Sequence, residues 1–211
     1  MSEKQTKQRL LDAAEELFAV KGFSHTSMRE ITCQAEANLA SVNYYFGSKE
    51  NLIMEILERK LIPINEKRLA CLEQIREKAK QSGTPLAVSE IISAFMDPTV
   101  QLMNSGKNGQ NFLAIMAQVH ISKNNVIRNL FMKLIGPIFN KFYEELIEAM
   151  PDISKETVLM RFTFVIGAMI HTIMMTIHAT SEGNGHPITK NSWEADVLKN
   201  ELIGFATRGM G

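Results

Sequence analysis

Residues Thr26–Lys49 read TSMREITCQAEANLASVNYYFGSK. Two short segments with apolar residues at helical spacing flank a polar turn, and an aromatic cluster and a lysine close the stretch. Ser27, followed three residues on by Glu30, is the signature of a capping box that starts the first segment, with Met28, Ile31 and Ala35 on its inner face. Asn38 caps the second segment, Leu39–Phe46, and Gly47-Ser48 stops it and caps the helix that follows. The plan is a helix-turn-helix.

Upstream, Leu10, Leu11, Ala14, Leu17 and Phe18 recur at helical spacing until Gly22, which ends that helix. Three helices joined by such short turns pack compactly. Downstream, Leu52, Ile53, Ile56 and Leu57 open a fourth helix that meets Pro63. The missing backbone donor there predicts a kink or a restart. Leu69, Leu72 and Ile75 carry the pattern on, so residues 48–80 read as a connecting element. Gln81–Pro85 is a break.

Leu86–Met103 then reads as a helix bent at Asp97-Pro98, Asn104–Gly109 as a loop, and Gln110–Ser122 as a helix. Asn124-Asn125 introduces a long helix to Met150 with an internal Gly136-Pro137. Residues 155–180 are apolar on every side over their middle turns, which predicts that both faces are buried, one of them by a second subunit. A loop over 181–187 and a final helix over about 190–208, with Val197, Leu198, Leu202 and Phe205 on one side, complete the chain. No strand-like alternation occurs, so the fold class is all-α: a three-helix, helix-turn-helix head over 1–50 and a larger helical domain over 51–211.

The composition narrows the function classes. The chain has 211 residues with 23 basic and 23 acidic side chains, so no global field draws it to a polyanion. Even the first fifty residues are not basic: Lys4, Lys7, Arg9, Lys21, Arg29 and Lys49 are outnumbered by Glu3, Asp12, Glu15, Glu16, Glu30, Glu36 and Glu50. If such a head binds DNA, it does so through the placement of its charges and not through their sum. Cys33 and Cys71 form neither a disulfide framework nor a zinc module, which points to a reducing, cytoplasmic compartment. Phe162–Ala179 lacks charged residues and approaches the length of a membrane span, but His171, His178 and its threonines favour a buried helix, with no membrane partner. There is no nucleophile–base–orienter set, no phosphate-cradling glycine loop and no metal motif, so neither an enzyme nor a cofactor is expected.

The residues Leu17-Phe18, Gly22-Phe23, Thr26-Ser27, Ile31, Ala35, Tyr45-Phe46 and Ser48-Lys49-Glu50, over about Gln8 to Leu57, resemble the amino-terminal signature of the TetR family of bacterial transcriptional regulators. The run NLASVNYYFGSK resembles a branch with asparagine at the place of Asn43, some of whose members respond to fatty acids or acyl-CoA. Glu36 departs from the pattern, standing where the family commonly has the turn glycine.

The resemblance implies a ligand-responsive regulator, most simply a repressor, that binds a palindromic operator in double-stranded DNA as a homodimer and is released by a small apolar or amphipathic effector. The third helix is then expected in the major groove, with Leu39, Ala40, Ser41, Asn43 and Tyr44 outward and Asn43 reading adenine. Thr26, Ser27, Tyr45 and Lys49 are the expected phosphate contacts. The helices at about 155–180 and 190–208 are the expected dimer surface. In the larger domain, Met103, Phe112, Met116, His120, Phe131, Phe142, Arg161, His171 and Met175 are the candidate effector contacts, being polarizable, aromatic or anion-binding side chains in an apolar setting. The alternative is a helical dimeric interaction protein without specific DNA binding.

Overall fold

The computed structural model describes residues 3–120, 122, 124–181 and 195–210, and every regular element among them is helical. The chain packs as two compact units, one formed by residues 1–62 with 107–134 and the other by 63–106 with 135–211.

In the first unit, α1 (Glu3–Lys21) buries Leu10, Leu11, Ala13, Ala14 and Phe18 along one stripe. Gly22 ends it with φ +82, a conformation that a Cβ would strain. The short helices α2 (Met28–Gln34) and α3 (Leu39–Phe46) pack on α1 and on each other. Ile31, Ala35, Val42 and Phe46 join the α1 stripe in one core. This is the helix-turn-helix read from the sequence.

The turn between α2 and α3 is a Schellman motif. Ala37 N donates to Thr32 O at 2.9 Å and Glu36 N to Cys33 O at 3.2 Å. The motif places Glu36 at the left-handed position, φ +48, where the chain would favour glycine. Glu36 gains only an exposed ion pair with Arg9, 3.9 Å apart, which offsets little of the strain.

The fourth helix, α4 (Lys49–Ser82), runs unbroken through Pro63. The expected restart does not occur: the proline removes one backbone donor, and burial of Leu61 and Ile64 on either side keeps the helix wound. The helices α6 (Gly106–His120) and α7 (Asn125–Ala149) supply the remaining residues of the first unit and, from 135 on, part of the second. The loop expected over Asn104–Gly109 is mostly helix, because Lys107 and Asn108 form an exposed polar first turn whose inward face is only Gly109.

In the second unit, α5 (Val88–Val100) also passes through its proline, Pro98, and tightens into a 3-10 turn at Gln101–Asn104. The change of winding falls at Gln101, after the proline. Phe95 of α5 meets Phe142 and Phe162 edge-on at 5.2 and 5.1 Å between centroids, and Phe139 stacks on Phe162 at 4.9 Å. The helix α8 (Lys155–Ser181) starts at a Ser154 cap, whose Oγ accepts from Thr157 N at 3.2 Å. The last helix, α9 (Ala195–Met210), packs on α5 and α8. The loop expected over 181–187 and the expected start at 190 lie outside the described residues, apart from Ser181.

The expectation that both faces of α8 are buried is not met within one chain. Val158, Phe162, Val165, Met169 and Ile173 form a buried stripe, while Leu159, Met160 and Phe164 are exposed, Phe164 at 69%. Similarly, α9 buries Leu202, Ala206 and Met210 but leaves Val197 and Phe205 outward, so the residues read as one side divide between core and surface. Residues Lys155–Thr176 have the length and the mean hydropathy, 1.7, of a membrane span, with 28% of that window buried.

Glu36→Gly should raise unfolding stability by about 1 kcal/mol, the cost of a side chain in the left-handed region. Urea unfolding of the two proteins checks this, and a less stable variant would show that the turn carries no such strain.

Candidate nucleic-acid interface

The outer side of α3 carries no charged residue. Leu39, Ala40, Asn43 and Tyr44 are exposed, Tyr44 at 75%, and Ser41 is half-buried. This surface presents one amide, hydroxyls and methyl groups, which is the chemistry of base-edge contact and not of phosphate attraction. Asn38 Oδ1 accepts from Ala40 N at 2.8 Å, and Asn51 Nδ2 donates to Phe46 O at 2.9 Å, so both ends of α3 are tied down. Val42 and Phe46 hold its inner side.

The expected phosphate contacts sit in four different environments. Thr26 is buried at 2% exposure, and its hydroxyl donates to Gly22 O at 2.9 Å and Leu17 O at 3.3 Å. It closes the α1–α2 turn and has no hydroxyl to offer a phosphate in this conformation. Ser27 is exposed, but its N–H and hydroxyl both donate to Glu30 Oε2, at 2.7 and 2.8 Å, while its Oγ accepts from Glu30 N at 3.2 Å. The amino-terminal end of α2 is therefore occupied by its own carboxylate, and an incoming phosphate must displace it. Tyr45 is half-buried and donates to Glu3 O at 3.2 Å. Lys49 Nζ lies 4.2 Å from the centroid of the Phe23 ring. Partial burial lowers its pKa, opposed by Glu50 and Glu30.

Glu30 accepts from Lys21 at 2.7 Å as well as from Ser27. The Lys21 contact first, then the Ser27 backbone and hydroxyl, hold its carboxyl at a pKa of about 2. Two residues were missed in reading the sequence. Arg29, exposed on the first turn of α2, is a basic side chain beside Ser27. Gln118 of α6 donates to Ala19 O at 3.0 Å, tying α6 to the end of α1. Nothing local marks Gln118, since its partner is 99 residues away.

The nine candidate effector residues divide between the two units. Phe112 and Phe131 are buried in the first unit, where Met116 is half-buried and His120 exposed. In the second unit Phe142 and Met103 are buried, Met175 is half-buried and His171 exposed. Arg161 donates to Met210 O. The first unit holds a polar cleft of about 370 Å³ lined by Arg9, Glu16, Gln34, Glu36 and Lys107, and a smaller space of about 210 Å³ bounded by Phe18, Phe23, Ile115 and Gln118. The second holds grooves of about 510 and 280 Å³ on either side of α5, and none of the nine lines any of these four spaces. Among the described residues there is no cluster of metal-binding side chains.

The fold and this arrangement are those of a helix-turn-helix protein. Residues 10–56 match the family model for bacterial regulatory proteins of the tetR family, and residues 93–209 match that for the tetracyclin repressor-like C-terminal domain. The chain belongs to the TetR family. It is 34% identical over 97 residues to the HTH-type transcriptional regulator AcrR of Shigella flexneri, covering 46% of this chain and 42% of that one. It is 44% identical over 57 residues to the probable HTH-type transcriptional regulator YttP of Bacillus subtilis, covering 25% of this chain and 28% of that one. The chain thus spans less than half the length of these curated relatives. The fold matches that of the transcriptional regulator FadR of Bacillus subtilis in complex with stearoyl-CoA, with a TM-score of 0.70 and 16% identity over 96% of this chain and 98% of that one.

Because Glu30 has a lowered pKa, its contribution to stability is complete above the unfolded value of 4.5 and is lost as pH falls through about 2. The stability difference between the wild type and Glu30→Gln should be constant above about pH 5 and shrink toward pH 2. Urea unfolding across this range checks it, and a difference that stays flat would remove the charged capping box from the account.

Proposed function

We propose that the protein is a ligand-responsive transcriptional regulator, most simply a repressor, acting on a palindromic operator as a homodimer in the cytoplasm. Residues 1–50 serve as the DNA-binding module and 51–211 as the effector and dimerisation domain, with 48–80 connecting them. The observation that carries this reading is the uncharged, exposed outer side of α3, tied at both ends and backed by a buried core. Such a surface suits recognition by hydrogen bonds and shape.

Asn43 is the base reader, since an amide both donates to and accepts from adenine. Ser41 and Tyr44 add hydroxyl contacts, and Leu39 and Ala40 fit a thymine methyl. Lys49, Tyr45 and Ser27 contact phosphate, with Arg29 as a further cation. Lys49 leaves the Phe23 ring to do so, and Thr26 supports them by fixing the turn. The balanced charge of the head makes the sequence-independent part of binding weak, so specificity rests on α3.

Dimerisation through α8 and α9 is supported by the apolar residues that one chain leaves outward, Leu159, Met160, Phe164, Val197 and Phe205. A single head offers too little surface for tight specific binding, and two match a palindrome. The effector shifts the population toward a conformation whose heads no longer fit both half-sites, with α4 as the link. The family's role in transcription favours regulation over catalysis.

Asn43→Ala should weaken binding to the palindromic element upstream of the gene by about 1–3 kcal/mol while leaving binding to random DNA unchanged. Fluorescence anisotropy measures both, and light scattering of the complex should give two chains per palindrome. Equal loss on both DNAs would refute base reading by Asn43, and one chain per palindrome would refute the dimer.

A further inference from the structure

The space of about 210 Å³ in the first unit lies outside both the α3 surface and the nine residues considered for an effector. The end of α1, the turn before α2, and α4, α6 and α7 all contribute to it. Phe18, Phe23, Ile53, Ile115, Val119 and Ile127 make it apolar. The Phe18 and Phe23 rings meet at 5.4 Å between centroids with planes tilted by 45°, so an aromatic pair forms part of the wall. The polar lining is Ser24, His25, Gln118 and Ser122, and no aspartate, glutamate, lysine or arginine lines the space among the described residues.

Gln118 supplies the specific chemistry. Its Nε2 donates to Ala19 O at 3.0 Å, which orients the amide, while its Oε1 accepts no hydrogen bond among the described residues. That oxygen stands 3.2 Å from the place that a Cβ on Gly22 would take, and Gly22 has φ +82. The glycine that ends α1 therefore also leaves the Gln118 carbonyl uncovered. An amide oxygen in an apolar recess is costly to leave without a donor, so a fitting occupant brings an N–H or O–H.

The remaining features restrict the occupant further. An ionised ligand would lose its hydration here and gain no counter-charge. Cavities of about 150 Å³ accommodate benzene, so this somewhat larger space suits one ring or two fused rings. The phenylalanine pair favours an aromatic guest, through offset or edge-on contact.

We propose that this space is a ligand site in the unit that holds the helix-turn-helix, for a neutral one- or two-ring aromatic molecule with a single N–H or O–H group. The ring packs against the phenylalanine pair and the isoleucines, and the polar group donates to Gln118 Oε1. Phe23 also carries Lys49 Nζ at 4.2 Å, so the occupant shares a ring with a residue proposed to contact phosphate. The site itself does not rest on the regulatory reading.

The test uses the full chain without DNA, with isoleucine δ1 methyl groups labelled with carbon-13 and followed by NMR. Indole is the probe, beside indene, which keeps the shape without the N–H, and indole-3-carboxylate, which adds a charge. Indole should shift the methyls of Ile53, Ile115 and Ile127 with a Kd below about 1 mM, and leave those of Ile91 and Ile92 in the second unit in place. Indene should bind about fivefold more weakly, the worth of one hydrogen bond, and the carboxylate should leave the three methyls in place. Gln118→Met, similar in size but without the acceptor, should bind indole and indene alike. The proposal is overturned by unmoved Ile53, Ile115 and Ile127 methyls, or by shifts at Ile91 and Ile92 as large as theirs. Equal affinity of the wild type for indole and indene, carboxylate binding as tight as that of indole, or a retained indole preference in Gln118→Met would overturn it too. If Gln118→Met fails to fold, the indole–indene comparison on the wild type decides.

Discussion

The orientation of α3 depends on how α2 is fastened at its two ends. At its start, Ser27 and Glu30 exchange three hydrogen bonds, and the buried Thr26 hydroxyl holds the turn from α1. At its end, the Schellman bonds of Glu36 and Ala37 set the direction in which the chain leaves. Because α3 is short and uncharged, it has no electrostatic means of correcting a wrong approach to a partner. Its angle, fixed by these local bonds and by Ile31, Val42 and Phe46 beneath, therefore determines what it can touch. The same economy explains the strained Glu36. A residue that glycine would replace at lower cost is tolerated because the turn is held from both sides.

Those local bonds are also why the head was legible in the sequence. Caps, a stop glycine and helical spacing are short-range signals, and Ser27, Glu30, Asn38, Gly22 and Gly47 carry them within a few residues. Whether a helix runs on through Pro63 or Pro98 was less legible, because it depends on burial of the neighbouring side chains, which one-dimensional spacing does not contain. Likewise Thr26 and Ser27 look alike as polar residues before a helix, yet one hydroxyl is turned inward to Gly22 O and the other is committed to Glu30. Gln118 and Arg68 were invisible for a related reason. Each is a polar residue in an ordinary amphipathic pattern whose meaning comes from partners 99 and about 30 positions away.

The second unit combines two unmet requirements of different kinds. Phe164, Met160 and Phe205 leave apolar surface in water, which association between copies would cover. Arg68 leaves a charge in an apolar interior, which only an anion would neutralise. A second chain would relieve the first, and both lie in the unit to which α4 contributes residues 63–82. That is the arrangement expected if ligand occupancy and the geometry of the dimer are linked through one population of conformers.

The central claim, that a head of balanced charge achieves specificity through α3, is tested most directly by salt-dependent anisotropy titration on the upstream palindrome and on a scrambled duplex of the same composition. The account predicts that the palindrome is bound on the order of a thousandfold or more tighter than the scrambled duplex at physiological salt, with the gap persisting as salt rises. Equal affinities for the two duplexes, falling together with salt, would contradict it.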